Sequence, residues 1–335
     1  MAAEIPLDSV DRVEILTVID NVLDLLLIST DVAKRMGPTG IEGRAMPVVE
    51  APLLESGCAA DTPVAEHGLA FLVSVTSGER RRTMLFDTGS SAGGLMHNLR
   101  ALGADPAEIE TIVLSHGHFD HTIGLNGLAQ QLEPLPPLVL HPDVWLKRRV
   151  AIPGREPFEL PTTSKEKVRA AGFEVIEQRQ PCSLLDGGLL ATGEIERTTE
   201  FERGLPVQQA FRDGEWQPDP LLHDDQALVA HLRDKGLIVI TGCGHAGLIN
   251  TVRHARKITG VDRVHAVIGG FHLGTPAFEP IIPPTVAALG EFDPQVVVPT
   301  HCTGWRAIHA LAAAFPDAFI QNSVGTRYVF ESGGA

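Results

Sequence analysis

The sequence predicts an α/β fold in which two sheets pack face to face with helices on their outer sides, a four-layer αββα sandwich. Three observations predict it. An apolar strand runs out at a histidine and gives way to a helix three times. The second half of the chain repeats the strand–loop–helix theme of the first. A length of 335 residues with 44% hydrophobic content, 33 Gly and 24 Pro but one Tyr and three Trp, suits a loop-rich α/β protein with a full core.

In chain order, Val13–Ile19 alternates and then becomes apolar, as a sheet strand would, and stops at the turn pair Asp20-Asn21. Val22–Ile28 fits a second strand or a short helix equally well. Residues 30–65 are rich in Gly, Pro, Ala and Thr without a steady period, which reads as a flap over a site. Gly68–Thr76 and Arg82–Asp87 are strands joined by a turn over Ser77–Arg81. Gly93–Leu102 is helical, Asp105 caps a short helix, Ile112–Leu114 is a buried strand, Ile123–Leu132 is a helix and Pro137–His141 a strand. From about Val144 to Asp225 the pattern loosens into short strands at Phe173–Glu177, Ser183–Leu185 and Leu189–Thr192. Their Pro, Gly and charge content points to a surface elaboration. It could close one side of a pocket or support a homodimer. Gln226–Leu232 and Gly236–Thr241 form a hairpin, Ala246–Ile258 a helix and Arg263–Ile268 a strand. Pro284–Leu289 lies in a helix, Val296–Pro299 is a strand and Gly304–Ala314 a helix. Ala318–Ile320 and Thr326–Phe330 close the sheet.

The chemistry gathers at Thr111–Leu125, TIVLSHGHFDHTIGL. Three histidines and an aspartate within six residues, at the end of a strand, make a metal-ligand cluster. Alternate residues of an extended segment point the same way, roughly 6.6 Å apart at Cα. Imidazoles from His116 and His118 can therefore converge on one ion at about 2.1 Å each. Asp120 and His121 lie past the turn and face a second position. Carboxyl ends of strands are where an α/β sheet places a site, and His245 and His301 stand at two more such ends.

Charge and cysteine usage exclude several classes. A formal charge of −15 argues against nucleic acid as a partner, since phosphate neutralisation needs clustered Lys and Arg. The one dense basic run, Arg80-Arg81-Arg82, sits between two strands and reads as a solvated hairpin turn. Cysteines stand at 58, 182, 243 and 302, with no C-x-x-C pair and no disulfide framework. Cys243 and Cys302, each within two residues of a candidate ligand, read as small buried side chains ahead of thiols supporting the ligands. MAAEIPLDSVDRVE carries acids where a signal peptide needs basic and then apolar residues, and no apolar run is long enough to span a bilayer. The expectation is a cytoplasmic protein without a membrane partner.

Glu66-His67-Gly68-Leu69, Leu85-Phe86-Asp87-Thr88-Gly89, Ser115-His116-Gly117-His118, Asp224-Asp225-Gln226-Ala227-Leu228, Thr241-Gly242-Cys243-Gly244-His245-Ala246-Gly247, Ile268-Gly269-Gly270-Phe271-His272-Leu273 and Pro299-Thr300-His301-Cys302-Thr303-Gly304 form a series. It resembles the metallo-β-lactamase superfamily. Within that superfamily it is similar to the branch labelled 7,8-dihydropterin-6-yl-methyl-4-(β-D-ribofuranosyl)aminobenzene-5′-phosphate synthase. The resemblance runs from about Ile15 to Phe330. It implies the αββα architecture as a single domain over residues 10–330, with loop insertions at about 30–65 and 144–225. It also implies a metal centre. His116, His118 and His245 would hold a first ion, and Asp120, His121 and His301 a second, with Asp87 orienting the ligands from behind. Zn²⁺ suits this set, in one or two copies, and Mn²⁺ or Fe²⁺ is compatible. Position 118 is His where the similar flavodiiron oxygen reductases carry a carboxylate, which favours hydrolysis over redox work. Dinuclear relatives place a bridging Asp at the end of the strand that here reads Gly269-Gly270-Phe271-His272. That leaves His272 to approach the metals or the substrate.

The expected activity is metal-dependent hydrolysis of a small ester, lactone or phosphoester through a metal-bound hydroxide. Asp120 would orient the nucleophile and pass a proton to the leaving group, His272 would stabilise the developing anion, and Arg197 is a candidate grip on an anionic substrate. Three other readings stand beside it. A nuclease is disfavoured by the acidity. A non-catalytic metal-holding protein is disfavoured by retention of the ligand set. A pterin-related synthase-like activity would need a partly aromatic pocket from a chain with few aromatic residues.

Overall fold

Period-two patterning decides which side of each strand is buried, and the strand Arg12–Ile19 shows it. Val13 and Ile15 enter one apolar cluster and Leu16 and Val18 another. The hairpin partner Ala70–Ser77 does the same, with Phe71, Val73 and Val75 on one side and Ala70 and Leu72 on the other. A sheet apolar on both faces must be covered on both. In the computed structural model, which describes residues 5–37, 40–41 and 46–333, it is.

One sheet has eight strands, in the order Val175–Glu177, Leu138–Leu140, Ile112–Val113, Arg80–Phe86, Ala70–Ser77, Arg12–Ile19, Arg327–Glu331 and Ala33–Lys34. The other has Cys182–Leu184, Leu189–Ala191, Ala227–Leu232, Gly236–Thr241, Val264–Gly270 and Val296–Thr300 in order, with Ser9–Val10 pairing Ala227–Leu232. Their inner faces meet in one core that includes Ile15, Phe71, Met84, Ile240, Ile268 and Val298. The helices Gly94–Ala101, Leu125–Gln131 and Lys165–Ala170 cover the outer face of the first sheet. Leu248–Thr259, Ile282–Gly290 and Trp305–Ala314 cover the outer face of the second. This is the αββα sandwich that the sequence predicts. The parallel strands Ile112–Val113, Gly236–Thr241, Val264–Gly270 and Val296–Thr300 all run toward one edge, and their following loops assemble there.

Several local expectations differ from the structure. Val22–Ile28 is neither strand nor helix but a turn and irregular chain, in which the Asp24 side chain accepts the Leu26 N–H and Leu26 and Ile28 stand exposed. The helix expected over Ile123–Leu132 is found as Leu125–Gln131, and a separate, unexpected turn of helix, Phe119–Thr122, precedes it. Ala318–Ile320 makes only a single bridge, Phe319 to Val297. Of the stretch 30–65, expected as a flap, residues 38–39 and 42–45 lie outside the described residues. Its described part packs against the helix Gly94–Ala101, where Val64 N–H and Asp61 meet Asn98 and Arg100.

The stretch 144–225 is more than a loop insertion. Val175–Glu177 completes the first sheet and Cys182–Leu184 and Leu189–Ala191 complete the second. Arg148–Val150, Phe158–Glu159, Gln208–Arg212 and Glu215–Pro218 form a separate four-stranded antiparallel sheet. Lys165–Ala170 is a helix capped by Ser164, whose side chain accepts the Lys167 N–H. The basic run is not the solvated hairpin turn expected: the turn is Gly78-Glu79, and Arg80, Arg81 and Arg82 begin the strand Arg80–Phe86 and pair with Asp186, Glu108 and Glu110. Among the described residues no helix is long and apolar enough to cross a membrane.

Candidate metal centre

The strand Ile112–Val113 runs into a bent loop, Ser115-His116-Gly117-His118, and the next turn of helix carries Asp120 and His121. His245 follows the strand Gly236–Thr241 and His301 follows Val296–Thr300. The fold brings all six residues together. His245 Nε2 lies 3.2 Å from both His116 Nε2 and His118 Nδ1. Asp120 Oδ2 lies 3.2 Å from His301 Nε2 and 3.7 Å from His121 Nε2. Two nitrogens sharing a tetrahedral ion at about 2.1 Å would stand about 3.4 Å apart. These separations are those of ligands around an ion.

The far side of four of the five rings is held so that one nitrogen lone pair faces inward, while the Nδ1 of His245 has no hydrogen-bond partner. Asp87, fully buried, accepts the Ser115 N–H on Oδ1 at 2.7 Å, and its Oδ2 lies 2.7 Å from both Ser115 Oγ and His121 Nδ1. Ser115 Oγ in turn is 2.9 Å from His116 Nδ1. One carboxylate therefore reaches two of the imidazoles, His121 directly and His116 through the Ser115 hydroxyl. Asn21 Oδ1 meets His301 Nδ1 at 3.1 Å, and Asp20 accepts the His301 N–H at 2.8 Å. The buried amide of Gln208 lies 3.2 Å from His118 Nε2, and its own Oε1 has no partner. With the carbonyl turned toward the ring it accepts the Nε2–H and leaves the Nδ1 lone pair facing His245.

Electrostatics agree with a cation at the centre. Burial and the neighbouring imidazoles hold His116 and His245 well below the ordinary histidine range. Burial and then Arg148 push His118 down to about 3. These rings are neutral, with lone pairs to offer. For His121, burial is outweighed by Asp87 and Asp120, which draw it up to about 9. For Asp120, burial is outweighed by His121 and His301, which hold it far below the usual carboxylate range. The negative charge that favours a proton on His121 equally favours a metal ion. His301 Nε2 is buried and faces Asp120 Oδ2 without a well-aligned hydrogen bond to it, as two ligand atoms gathered around an ion would. The donor set fits one or two divalent cations.

A cavity of about 480 Å³ opens over these atoms, floored by His118, Asp120 and His301 and walled by Phe119, Val150 and Leu160. The last two come from the four-stranded sheet and the chain that follows it. His272 lines the cavity too. Its backbone is left-handed, at φ 45°, and its ring lies 4.1 Å from that of His245. Arg197, the candidate substrate grip, is not brought to the cavity. Its guanidinium donates to the Leu221 carbonyl and lies in the field of Asp225 and Glu202.

Sequence reasoning missed several participants. Arg148 is buried and makes a two-pronged bond to Asp224 at 2.9 and 2.6 Å, with Asp219 at 3.1 Å. Asp224 also accepts the Gly117 N–H at 2.8 Å, which fixes the backbone between His116 and His118. A Cβ at Gly117 would meet Val144 O at 2.4 Å, so only glycine fits there. Nothing in Lys147-Arg148-Arg149 marks the middle residue as buried. The paired acids Asp224-Asp225 ahead of a strand were a visible signal without a role. His67, at the rim, lies 3.6 Å from Asp120 Oδ2.

The metallo-β-lactamase superfamily model matches residues 65–256. The chain belongs to this superfamily. The matched span includes five of the six converging residues, all but His301. Among superfamily proteins, the chain is similar to the 7,8-dihydropterin-6-methyl-4-(β-D-ribofuranosyl)-aminobenzene-5′-phosphate synthase of Methanocaldococcus jannaschii, at 33% identity over 261 residues, 76% of this chain and 86% of that one. A second M. jannaschii protein, MJ0448, is 29% identical over 262 residues, 78% of this chain and 92% of that one. The crystal structure of Tm1679, described as a metal-dependent hydrolase of the β-lactamase superfamily, superimposes with a TM-score of 0.67 at 23% identity. That match covers 96% of this chain and 100% of the other and shows a shared superfamily fold.

Proposed function

We propose that this chain is a metal-dependent hydrolase of a small ester, lactone or phosphoester. The observation that carries the reading is the pair of adjoining ligand sets, His116–His118–His245 and Asp120–His121–His301, on the floor of a cavity sized for a small molecule. Zinc, or manganese or iron in its place, held by these six residues would supply a reactive water near neutral pH and polarise the oxygen under attack. The chain's own groups do the rest. Asp120, held ionised, orients the attacking water and passes its proton to the leaving group. His272 and His67 flank the same space and bind the oxyanion that develops. Phe119, Val150 and Leu160 exclude water from the scissile bond. The substrate is a small molecule, not nucleic acid: the chain carries −15 and its basic run is already paired.

The 33% identity to the M. jannaschii protein supports a second reading, a pterin-related synthase activity of the kind its name gives. One panel separates the two. Zinc-loaded protein is assayed on esters, lactones and phosphoesters and, in parallel, on the synthase reaction. Hydrolytic turnover that chelation abolishes supports the first reading. Synthase turnover without hydrolysis overturns it.

A further inference from the structure

The two ligand sets share a donor that neither the motif H-x-H-x-D-H nor the six expected ligands include. Cys243 Sγ lies within 4.8 Å of the ligand atoms of Asp120, His121 and His301, all mutually that close, and belongs equally to a compact group with His116 and His245. It stands 3.2 Å from His121 Nε2, the inward-facing nitrogen of that ring. A nitrogen at about 2.1 Å and a sulfur at about 2.3 Å from one ion are about 3.1–3.6 Å apart for right-angled to tetrahedral shells. Cys243 is 3% exposed, so its sulfur faces the cluster and not solvent.

The second sheet offers no carboxylate in its place. The strand end Gly269-Gly270 is bare, and a Cβ at Gly270 would stand 2.5 Å from Gly242 O, 2.8 Å from Cys302 Sγ and 3.2 Å from Cys243 Cα. No side chain can be carried there. Two divalent ions facing imidazoles and the single carboxylate of Asp120 would leave much positive charge uncompensated in a buried site. A thiolate between them reduces it, and coordination itself deprotonates the thiol. Cys302 is the nearby rival sulfur, but its Sγ donates to the Cys243 carbonyl at 3.4 Å and groups only with Cys243 and His272.

From this geometry we infer that Cys243 is a metal ligand whose thiolate is shared by both ion positions, taking the bridging place that a carboxylate would otherwise fill. The inference rests on the metal centre of the proposed function.

Cobalt(II) titration of metal-free protein tests the two separately. Visible d–d bands report that the ion is bound, and a near-ultraviolet sulfur-to-cobalt charge-transfer band reports that a thiolate binds it. Wild type and Cys302→Ser are expected to show the charge-transfer band growing with both equivalents of cobalt. Cys243→Ser is expected to keep d–d bands and lose the charge-transfer band. X-ray absorption of zinc-loaded wild type, which needs no variant to fold, should show a sulfur scatterer at about 2.3 Å on both ions. Cobalt bound without the charge-transfer band overturns the inference and leaves the metal centre standing. A band lost in Cys302→Ser but kept in Cys243→Ser assigns the wrong sulfur and also overturns it. A band that grows with only one equivalent overturns the shared placement. No d–d bands at all overturns the metal centre and the inference with it.

Discussion

Asp87 illustrates how much of the centre depends on one side chain. It holds the Ser115 backbone, the Ser115 hydroxyl and the His121 ring, and through the hydroxyl the His116 ring. Asp87→Asn would turn an amide N–H toward one of these donors and misalign it. Zinc affinity should fall by about 10–100-fold, measured by competition with a chromophoric chelator. Arg148 has a different task. With it removed, Asp224 is left buried without an ion-pair partner, while Asp219 keeps Arg212. Arg148→Met should cost about 3–5 kcal/mol in urea denaturation and loosen Gly117 between its two histidines. At this scale the sequence shows what is local. His116, His118, Asp120 and His121 are readable because one strand end and one helical turn carry them all. Gln208, Asn21 and Arg148 are not, because each reaches the centre from a distant element and nothing in its neighbours signals that approach; Cys243 stands two residues from His245 in the chain, but its closeness to both ligand sets is a property of the fold. Arg197 fails for the same reason in reverse: its surroundings in the chain do not show that it turns to Leu221 and away from the cavity.

Strands with clear alternation and helices with an apolar stripe are found near their observed limits. Arg12–Ile19, Gly94–Ala101 and Ala227–Leu232 all match expectation within a residue or two. The three-residue strands of 144–225 carry too little pattern to show which sheet they join. Val22–Ile28 looks like an element because it is apolar, yet Leu26 and Ile28 face solvent. The break between Phe119–Thr122 and Leu125–Gln131 falls at Gly124, where a Cβ would stand 1.9 Å from Thr88 O. The helix lies directly on the loop that carries Asp87. Gly124→Ala should force the two apart and cost about 1–3 kcal/mol, read as a lower urea midpoint at unchanged slope.

At the scale of the molecule, the converging side chains come from loops of both sheets, so an ion held by them would tie the two layers together across the edge of the sandwich. Metal binding is then coupled to folding. Stripping the protein with a chelator should lower its thermal midpoint, and returning zinc should restore it. Free zinc at a hundredfold over Kd should add about 2.7 kcal/mol, measurable by calorimetry. The αββα architecture was readable from the repeated strand–histidine–helix theme because apolar strands and site histidines recur in both halves. The four-stranded sheet that supplies Val150 and Gln208 was not, since its strands pair only with one another. The most direct test of the whole account is elemental analysis of purified, zinc-equilibrated and dialysed protein. About two zinc ions per folded chain, falling when His116 or His301 is replaced by Ala, is the result the account predicts. A chain that melts cooperatively and holds no stoichiometric metal would contradict it.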